Sequence, residues 1–287
     1  MTEEQMTAEH RIKDTHPCFS EAAHLKFARI HLPVAPLCNI GCKYCIRALN
    51  KVENRPGVAS AILSPEEALE RVKAAKARLP LTVVGIAGPG DALANVQTFA
   101  TFALVEREFP ELMKCASTNG LALLDCVEEL KRLRLTTLTV TVNAVKPETA
   151  AKIYDFVVLE GKPSKGLEAM RILLERQKQG ILAAVAAGLA IKINSVLVPG
   201  LNDAEIPDIA KQFGAAGVRI MNIMPLIPLH RMAKYKAPDC DQLRSVRDAS
   251  EKHIPQFRHC KQCRADAVGV PGLERKDYTS PTEYFHF

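Results

Sequence analysis

The 287-residue chain contains no apolar run approaching the ~18 residues that a membrane-spanning helix requires, so no span is expected. Its opening stretch, Met1 to Asp14, is polar and mixed in charge and does not read as a signal peptide. Basic and acidic residues number 38 and 32, yet there is no dense Lys/Arg run, and aromatics are only 5% and not interleaved with the cations. Nucleic acid is therefore not an expected partner. The spread charge of +6 suits an anionic cluster, a cofactor or an acidic partner protein equally well. No internal repeat, low-complexity segment or Gly/Pro/Ser-rich linker divides the sequence, which argues for one domain with arms. A cytoplasmic location is the expectation.

What is present is a hydrophobic content of 47%, ample for a core, arranged as repeated strand–helix units. Ile30–Ala35 alternates like a first strand. Ser64-Pro65-Glu66-Glu67 has the N-cap serine, first-turn proline and early acids of a helix start. Further strands are expected at 81–87, 113–118, 136–142, 190–198 and 218–224, with helices at 96–108, 123–133, from Pro147, 165–187, 204–213 and 239–252. Six strand–helix repeats without a seventh and eighth predict an α/β fold, an open (β/α)6 partial barrel whose active face lies where the strands end. The expected boundaries are an N-terminal arm at 1–29, the barrel at 30–253 and a C-terminal arm and tail at 254–287.

Nine cysteines in a reducing compartment argue for metal rather than disulfides. Three of them form the loop Cys38-Asn39-Ile40-Gly41-Cys42-Lys43-Tyr44-Cys45, directly after the first strand. Structural zinc calls for paired C-x2-C units and four ligands, whereas this loop supplies an asymmetric three. Three thiolates on a [4Fe–4S] cube leave one iron open. That corner can chelate the amino and carboxylate groups of S-adenosylmethionine (SAM), and an electron passed through the cluster can break its C5′–S bond to give a 5′-deoxyadenosyl radical. Gly41 is expected to let the loop bend, and Tyr44 sets an aromatic beside the third ligand.

Strand ends supply candidate SAM contacts. The second ends in Gly88-Pro89-Gly90-Asp91, where glycines allow close backbone approach to a ligand, although a plain strand-to-helix turn would look the same. Ser117 and Asn119, Asn143, and Asn194 follow at successive strands, each able to bind SAM or to cap a helix. Met224 closes the sixth strand near where an adenine could lie, or fills the core. The remaining thiols lie in two arms and at a strand: Cys18 in His16-Pro17-Cys18-Phe19-Ser20, with His24 close by; Cys115; and the C-x2-C pair Cys260 and Cys263, which alone would also suit half of a zinc site. They imply iron–sulfur units beyond that of the loop.

Longer phrases narrow the reading. These are His16-Pro17-Cys18-Phe19-Ser20, Ala28–Pro36, Asn54-Arg55-Pro56-Gly57-Val58, Val84–Asp91, Ser117-Thr118-Asn119-Gly120-Leu121 and Gln262–Gly269. Together, over about 16–270, they resemble the NifB family, radical-SAM enzymes of nitrogenase cofactor maturation in nitrogen fixation. The resemblance implies a carbide synthase with three [4Fe–4S] clusters, which fuses two substrate clusters with a SAM-derived carbon into an [8Fe–9S–C] precursor. One SAM gives its methyl to a cluster sulfide and a second yields the radical that abstracts hydrogen from it.

Carried over by residue, Cys38, Cys42 and Cys45 hold the radical cluster. Cys18, His24 and Cys115 hold one substrate cluster, with His16 and His31 as alternatives to His24. Cys260 and Cys263 hold the other. Many relatives have a cysteine just before the Asn-Arg-Pro-Gly phrase where this chain has Lys51, so Glu53 or an external thiolate is the candidate third ligand. Cys126 and Cys240 read as structural. The chain resembles the stand-alone form, without an appended carrier-like domain. Implied partners are an iron–sulfur cluster donor, a reductant, and a cluster carrier or assembly scaffold. Two other classes compete: another multi-cluster radical-SAM enzyme acting on a nucleotide or peptide, and a non-catalytic iron–sulfur scaffold, which needs no adenosyl pocket.

Overall fold

A computed structural model describes residues 10–271 and residue 273. Six strands run parallel: β1 (Ala28–His31), β2 (Leu81–Ile86), β3 (Met113–Thr118), β4 (Leu135–Thr141), β5 (Ala190–Leu197) and β6 (Ile220–Pro225). A seventh, β7 (Val268–Gly269), adds antiparallel to β1, giving the order β6-β5-β4-β3-β2-β1-β7. The crossovers are α1 (Pro65–Lys76), α2 (Val96–Glu108), α3 (Leu123–Arg132), α4 (Gly166–Ala186) and α5 (Ile206–Ala215), and α6 (Cys240–Glu251) follows β6. This is the open (β/α)6 half-barrel expected.

The chain forms these elements for local reasons. Ser64 and Glu67 close a capping box at the start of α1, and Asp239 and Gln242 do the same for α6. Along each strand, alternate residues point to opposite faces. Ile30, Val84, Ile86, Ala116, Leu138, Val140, Ile191, Ile193, Met221 and Ile223 face the helices and form the main core. Burying each large aliphatic side chain there contributes roughly 1.5–3 kcal/mol. The opposite parity, Arg29, His31, Gly85, Cys115, Ser117, Thr137, Thr139, Thr141, Lys192, Asn194 and Asn222, faces the concave interior. Register makes continuous rows of it: His31–Gly85–Cys115–Thr137, and Thr141–Asn194–Asn222. The barrel is therefore oily outside and polar within.

Both arms pack into this interior or across its gap. The N-terminal arm enters below the strands, where the Thr82 hydroxyl at the start of β2 donates to the Thr15 carbonyl at 2.8 Å. The C-terminal arm bridges the open side. Met221 and Phe257 exchange backbone bonds with it at the β6 edge (Met221 N to Pro255 O, 2.9 Å; Phe257 N to Met221 O, 2.7 Å), and β7 covers the β1 edge. Both unpaired sheet edges are thus covered, and Cys260 and Cys263 lie on the crossing segment.

Sequence reasoning missed one element. After the short helix Pro147–Ile153, a hairpin of Tyr154–Leu159 and Lys162–Ser164 pairs antiparallel with Ile40–Cys42. The cysteine loop is consequently a sheet edge rather than a free bend. Gly41 is needed for a different reason from the one expected: a Cβ there would stand 2.4 Å from the Phe156 ring.

Candidate metal and SAM centre

Cys38, Cys42 and Cys45 lie together at the end of β1, each thiol pushed above its ordinary range by burial. Cys38 reaches about 11, and Cys42 also feels Cys45 and Cys38. Among the described residues no three His, Cys, Asp or Glu side chains stand close enough to hold a single ion. A cubic cluster takes its ligands on separate irons and so asks for thiols spread more widely than a single ion does. Arg47 and Arg55 supply positive charge beside Cys45, and iron displaces the thiol protons on binding. The residues fit a cluster.

The loop is held by the groups expected to touch SAM. Tyr44 hydrogen-bonds the Cys42 thiol, and its hydroxyl accepts from Asn143 Nδ2 at 2.9 Å. Asn143 Oδ1 in turn accepts from Val196 N–H at 2.8 Å. Asn119 Nδ2 donates to Asn39 Oδ1 at 2.7 Å and lies 3.8 Å from Cys38 Sγ. Tyr44 and Asn119 therefore reach the thiols themselves and Asn143 holds Tyr44 in place, roles the sequence did not suggest.

Gly90 and Asp91 carry bonds within the protein. Gly90 N–H donates to Ala35 O at 2.6 Å and Asp91 N–H to Leu37 O at 2.8 Å, so these donors are used within the protein. The buried Asp91 carboxylate accepts from Leu93 N–H (2.9 Å), the Thr118 hydroxyl (3.0 Å) and Asn119 N–H (2.6 Å). Burial nevertheless raises its pKa, against those hydrogen bonds. Gly88, after which the peptide bond to Pro89 is cis, has φ +128°, and its missing Cβ faces Ala265 at 3.4 Å. These residues clamp the Cys38 loop onto β3.

An open acceptor remains further along the mouth. Asn222 Nδ2 donates to Asn194 Oδ1 at 3.2 Å, while the buried Asn222 Oδ1 has no partner. An unsatisfied buried acceptor costs about 1–3 kcal/mol, and a ligand donor would relieve it, so the residues fit SAM. Asn222 was missed as a site residue; its register opposite Asn194 on neighbouring strands was the available signal. Ser117 is half-buried on the same inward face, whereas Met224 packs beside the loop with its sulfur 3.9 Å from Cys260 Sγ. Two buried positioning residues were also missed. Gln177 ties the Asn119 and Thr141 carbonyls at the ends of β3 and β4 (2.6 and 3.0 Å), and Asn202 ties the Asn143 and Val196 carbonyls, both at 2.9 Å.

A second group of thiols lies inside the barrel. Cys18 is pushed up to about 12 by burial, opposed by Lys192 and Arg29, and it also feels Cys263 and Cys115. Cys263 Sγ accepts from Arg29 at 2.9 Å. Cys260 stands apart, against Met224. The arm's register is fixed by Arg264, which pairs with Asp266 and donates to the Glu53 and Asn50 carbonyls, at 2.5 and 2.9 Å. The 50–53 loop is thereby tied to the C-terminal arm at Arg264, and the Glu53 carboxylate is occupied by Arg55 and Asn50 (both 2.7 Å).

The three histidines separate by their bonds. His16 Nδ1 accepts from Cys18 N–H at 3.1 Å, so its proton sits on Nε2 and is given to Thr137 Oγ1 at 3.1 Å. Both nitrogens are spent, and burial holds the ring neutral. His24 Nδ1 donates to Pro17 O at 2.7 Å, leaving a buried, unpartnered Nε2 beside the Phe257 and His259 rings. His31 Nδ1 donates to Arg264 O at 3.1 Å, and burial, then Arg29, lowers its pKa to about 4. Its Nε2 lone pair stays available on the inward row that contains Cys115. Cys126 on α3 and Cys240 at the start of α6 lie outside this interior.

A model of the radical SAM superfamily matches residues 32–213. FeMo cofactor biosynthesis protein NifB of Methanocaldococcus infernus is 46% identical over 270 residues, 93% of this chain and 89% of that protein. Its namesake in Methanocaldococcus jannaschii is 47% identical over 273 residues (94% and 91%). NifB of Azotobacter vinelandii is 44% identical over 272 residues, 91% of this chain and 54% of that longer protein. Of solved structures, Streptococcus suis SuiB bound to S-adenosylmethionine superposes with TM-score 0.58 at 13% identity, covering 80% of this chain and 51% of that one. Methylornithine synthase PylB gives 0.52 at 11%, covering 96% and 85%. These two likenesses are of fold alone.

Proposed function

This chain belongs to the NifB family of radical-SAM enzymes of FeMo cofactor biosynthesis, and from that premise we propose that it is a carbide synthase. It joins two [4Fe–4S] substrate clusters with a carbon from the SAM methyl group into the [8Fe–9S–C] precursor of the nitrogenase cofactor. The observation that carries the proposal is a second set of inward thiols, Cys18, Cys115 and Cys263, gathered apart from the loop of Cys38, Cys42 and Cys45. A radical-SAM enzyme acting on a small organic substrate has no need of it.

When bound, the cluster on the loop supplies the electron that cleaves SAM to the 5′-deoxyadenosyl radical. This chain's residues hold and orient. Tyr44 and Asn143 fix Cys42, Asn119 lies against Cys38, and Gly90 with Asp91 keeps the loop on the barrel. Asn194 and Asn222 offer SAM their amides. Cys18 and Cys115 hold one substrate cluster with a histidine, either His24, whose buried Nε2 has no partner among the described residues, or His31, which strand parity points into the same row. A neutral imidazole dissociates more readily than a thiolate, which suits a cluster that must be rebuilt. Cys260 and Cys263 receive the other cluster from the arm. A cluster donor, a reductant and a carrier or assembly scaffold complete the partners.

The test is anaerobic reconstitution with SAM labelled in its methyl carbon. Label should enter an acid-labile iron–sulfur product, and iron should approach about twelve per chain, falling towards eight in the loop triple-alanine variant, at four irons per cube. Cys42→Ala should abolish SAM cleavage, while Cys260→Ala should keep it and stop product formation. Of His24→Ala and His31→Ala, the variant that loses substrate-cluster iron identifies the histidine ligand. Equal loss of SAM cleavage in both cysteine variants would refute the division of the thiols.

A further inference from the structure

Lys192 and Arg29 are buried cations of the barrel interior, and among the described residues no carboxylate pairs with either. Lys192 Nζ donates to Cys18 O at 2.9 Å and sits over the Phe19 and Phe257 rings, 4.7 and 5.4 Å from their centroids. Arg29 donates to Gly269 O at 2.8 Å and to Cys263 Sγ at 2.9 Å, and its buried Nε has no partner among the described residues. None of the inward-facing strand residues is acidic. Two positive charges held out of water without a counter-charge are costly, and a site that keeps them is arranged for an anion.

The thiols show where that anion would lie. Cys18 is within electrostatic reach of both cations, and Cys115 of Lys192. An iron–sulfur cube held by thiolates is anionic there and gains a further negative charge on one-electron reduction. The geometry points to Lys192, at the Cys18 and Cys115 end of the barrel, and Arg29, on Cys263, as positioning residues that retain the substrate clusters and favour their reduced forms. This rests on the proposed function; the electron comes from an external low-potential one-electron reductant.

The experiment uses the full chain in a Cys38→Ala, Cys42→Ala, Cys45→Ala background, so that only substrate clusters are observed. It is reconstituted anaerobically with ferrous iron and sulfide. Midpoint potential is read by dye-mediated titration followed by electron paramagnetic resonance, together with iron per chain. Lys192→Met keeps the buried stem and removes the charge, and Lys192→Arg restores the charge. A more negative midpoint for Lys192→Met, or loss of its iron, with recovery in Lys192→Arg, supports the inference. An unchanged midpoint at full iron in Lys192→Met overturns it while leaving the functional reading intact, as does equal iron loss in both variants. A background that holds no cluster at all overturns the functional reading itself.

Discussion

Gly90→Ala isolates the contact that seats the radical loop. Position 90 has no positive φ, so alanine there meets no intrinsic backbone penalty, and the effect is purely one of space. The added Cβ would stand 2.1 Å from the Leu37 carbonyl oxygen and 2.9 Å from that of Ala35, where ordinary contact begins at 3.4 Å. The two backbones must separate by about 1.3 Å at the residue preceding Cys38, a distance that follows from those contacts. Such a shift breaks the 2.6 Å and 2.8 Å bonds from Gly90 and Asp91 to Ala35 and Leu37. Overpacking and two lost buried hydrogen bonds together cost about 2–5 kcal/mol. The assay is urea unfolding of the metal-free protein, with 5′-deoxyadenosine formation after reconstitution. Gly161→Ala serves as control: its φ of +75° makes it strained, about 1–2 kcal/mol, but its Cβ meets nothing within 4 Å. Gly90→Ala should lose most SAM cleavage and Gly161→Ala should retain it. Stability within about 0.5 kcal/mol of the parent with full cleavage in Gly90→Ala would refute the clamp.

Three further outcomes follow from the same geometry. Tyr44→Phe removes the hydroxyl that supports the Cys42 sulfur, so the loop cluster should titrate at a more negative midpoint with its iron content intact; an unmoved midpoint would show that the bond does not persist once iron is bound. Arg264→Met leaves the buried Asp266 without its partner, and breaking such a pair costs about 3–5 kcal/mol; differential scanning calorimetry should show the loss, and limited proteolysis should cut the 255–270 arm first. His16 and His31 are held neutral in the fold by burial, with lowered pKa values. The unfolded chain therefore takes up protons that the folded chain refuses. Metal-free stability should fall as pH drops below about 6.5, by up to about 1.4 kcal/mol per pH unit for each histidine; for His31 the fall ends near its folded value of about 4. His16→Gln should flatten that slope, and an identical slope would count against the assignment.

The histidines illustrate what sequence could and could not resolve. His16, His24 and His31 are equivalent by composition, and the cysteine spacing does not choose among them. Strand parity and the carbonyls of Pro17 and Arg264 separate them, and those contacts join residues up to 233 positions apart. The hairpin 154–164 escaped notice because its partner, Ile40–Cys42, lies more than a hundred residues earlier and is itself only three residues long.

The sequence alone determined the half-barrel and the radical loop, because hydrophobic period, helix caps and three closely spaced thiols are local properties. Tertiary structure alone decided that Asp91, Asn119, Asn143 and Tyr44 support the loop, that the C-terminal arm closes the gap between β6 and β1, and that Lys192 and Arg29 lie by Cys18 and Cys263 with no carboxylate partner among the described residues. Those facts depend on sheet register and strand parity, which pair residues distant along the chain and are written in no local pattern.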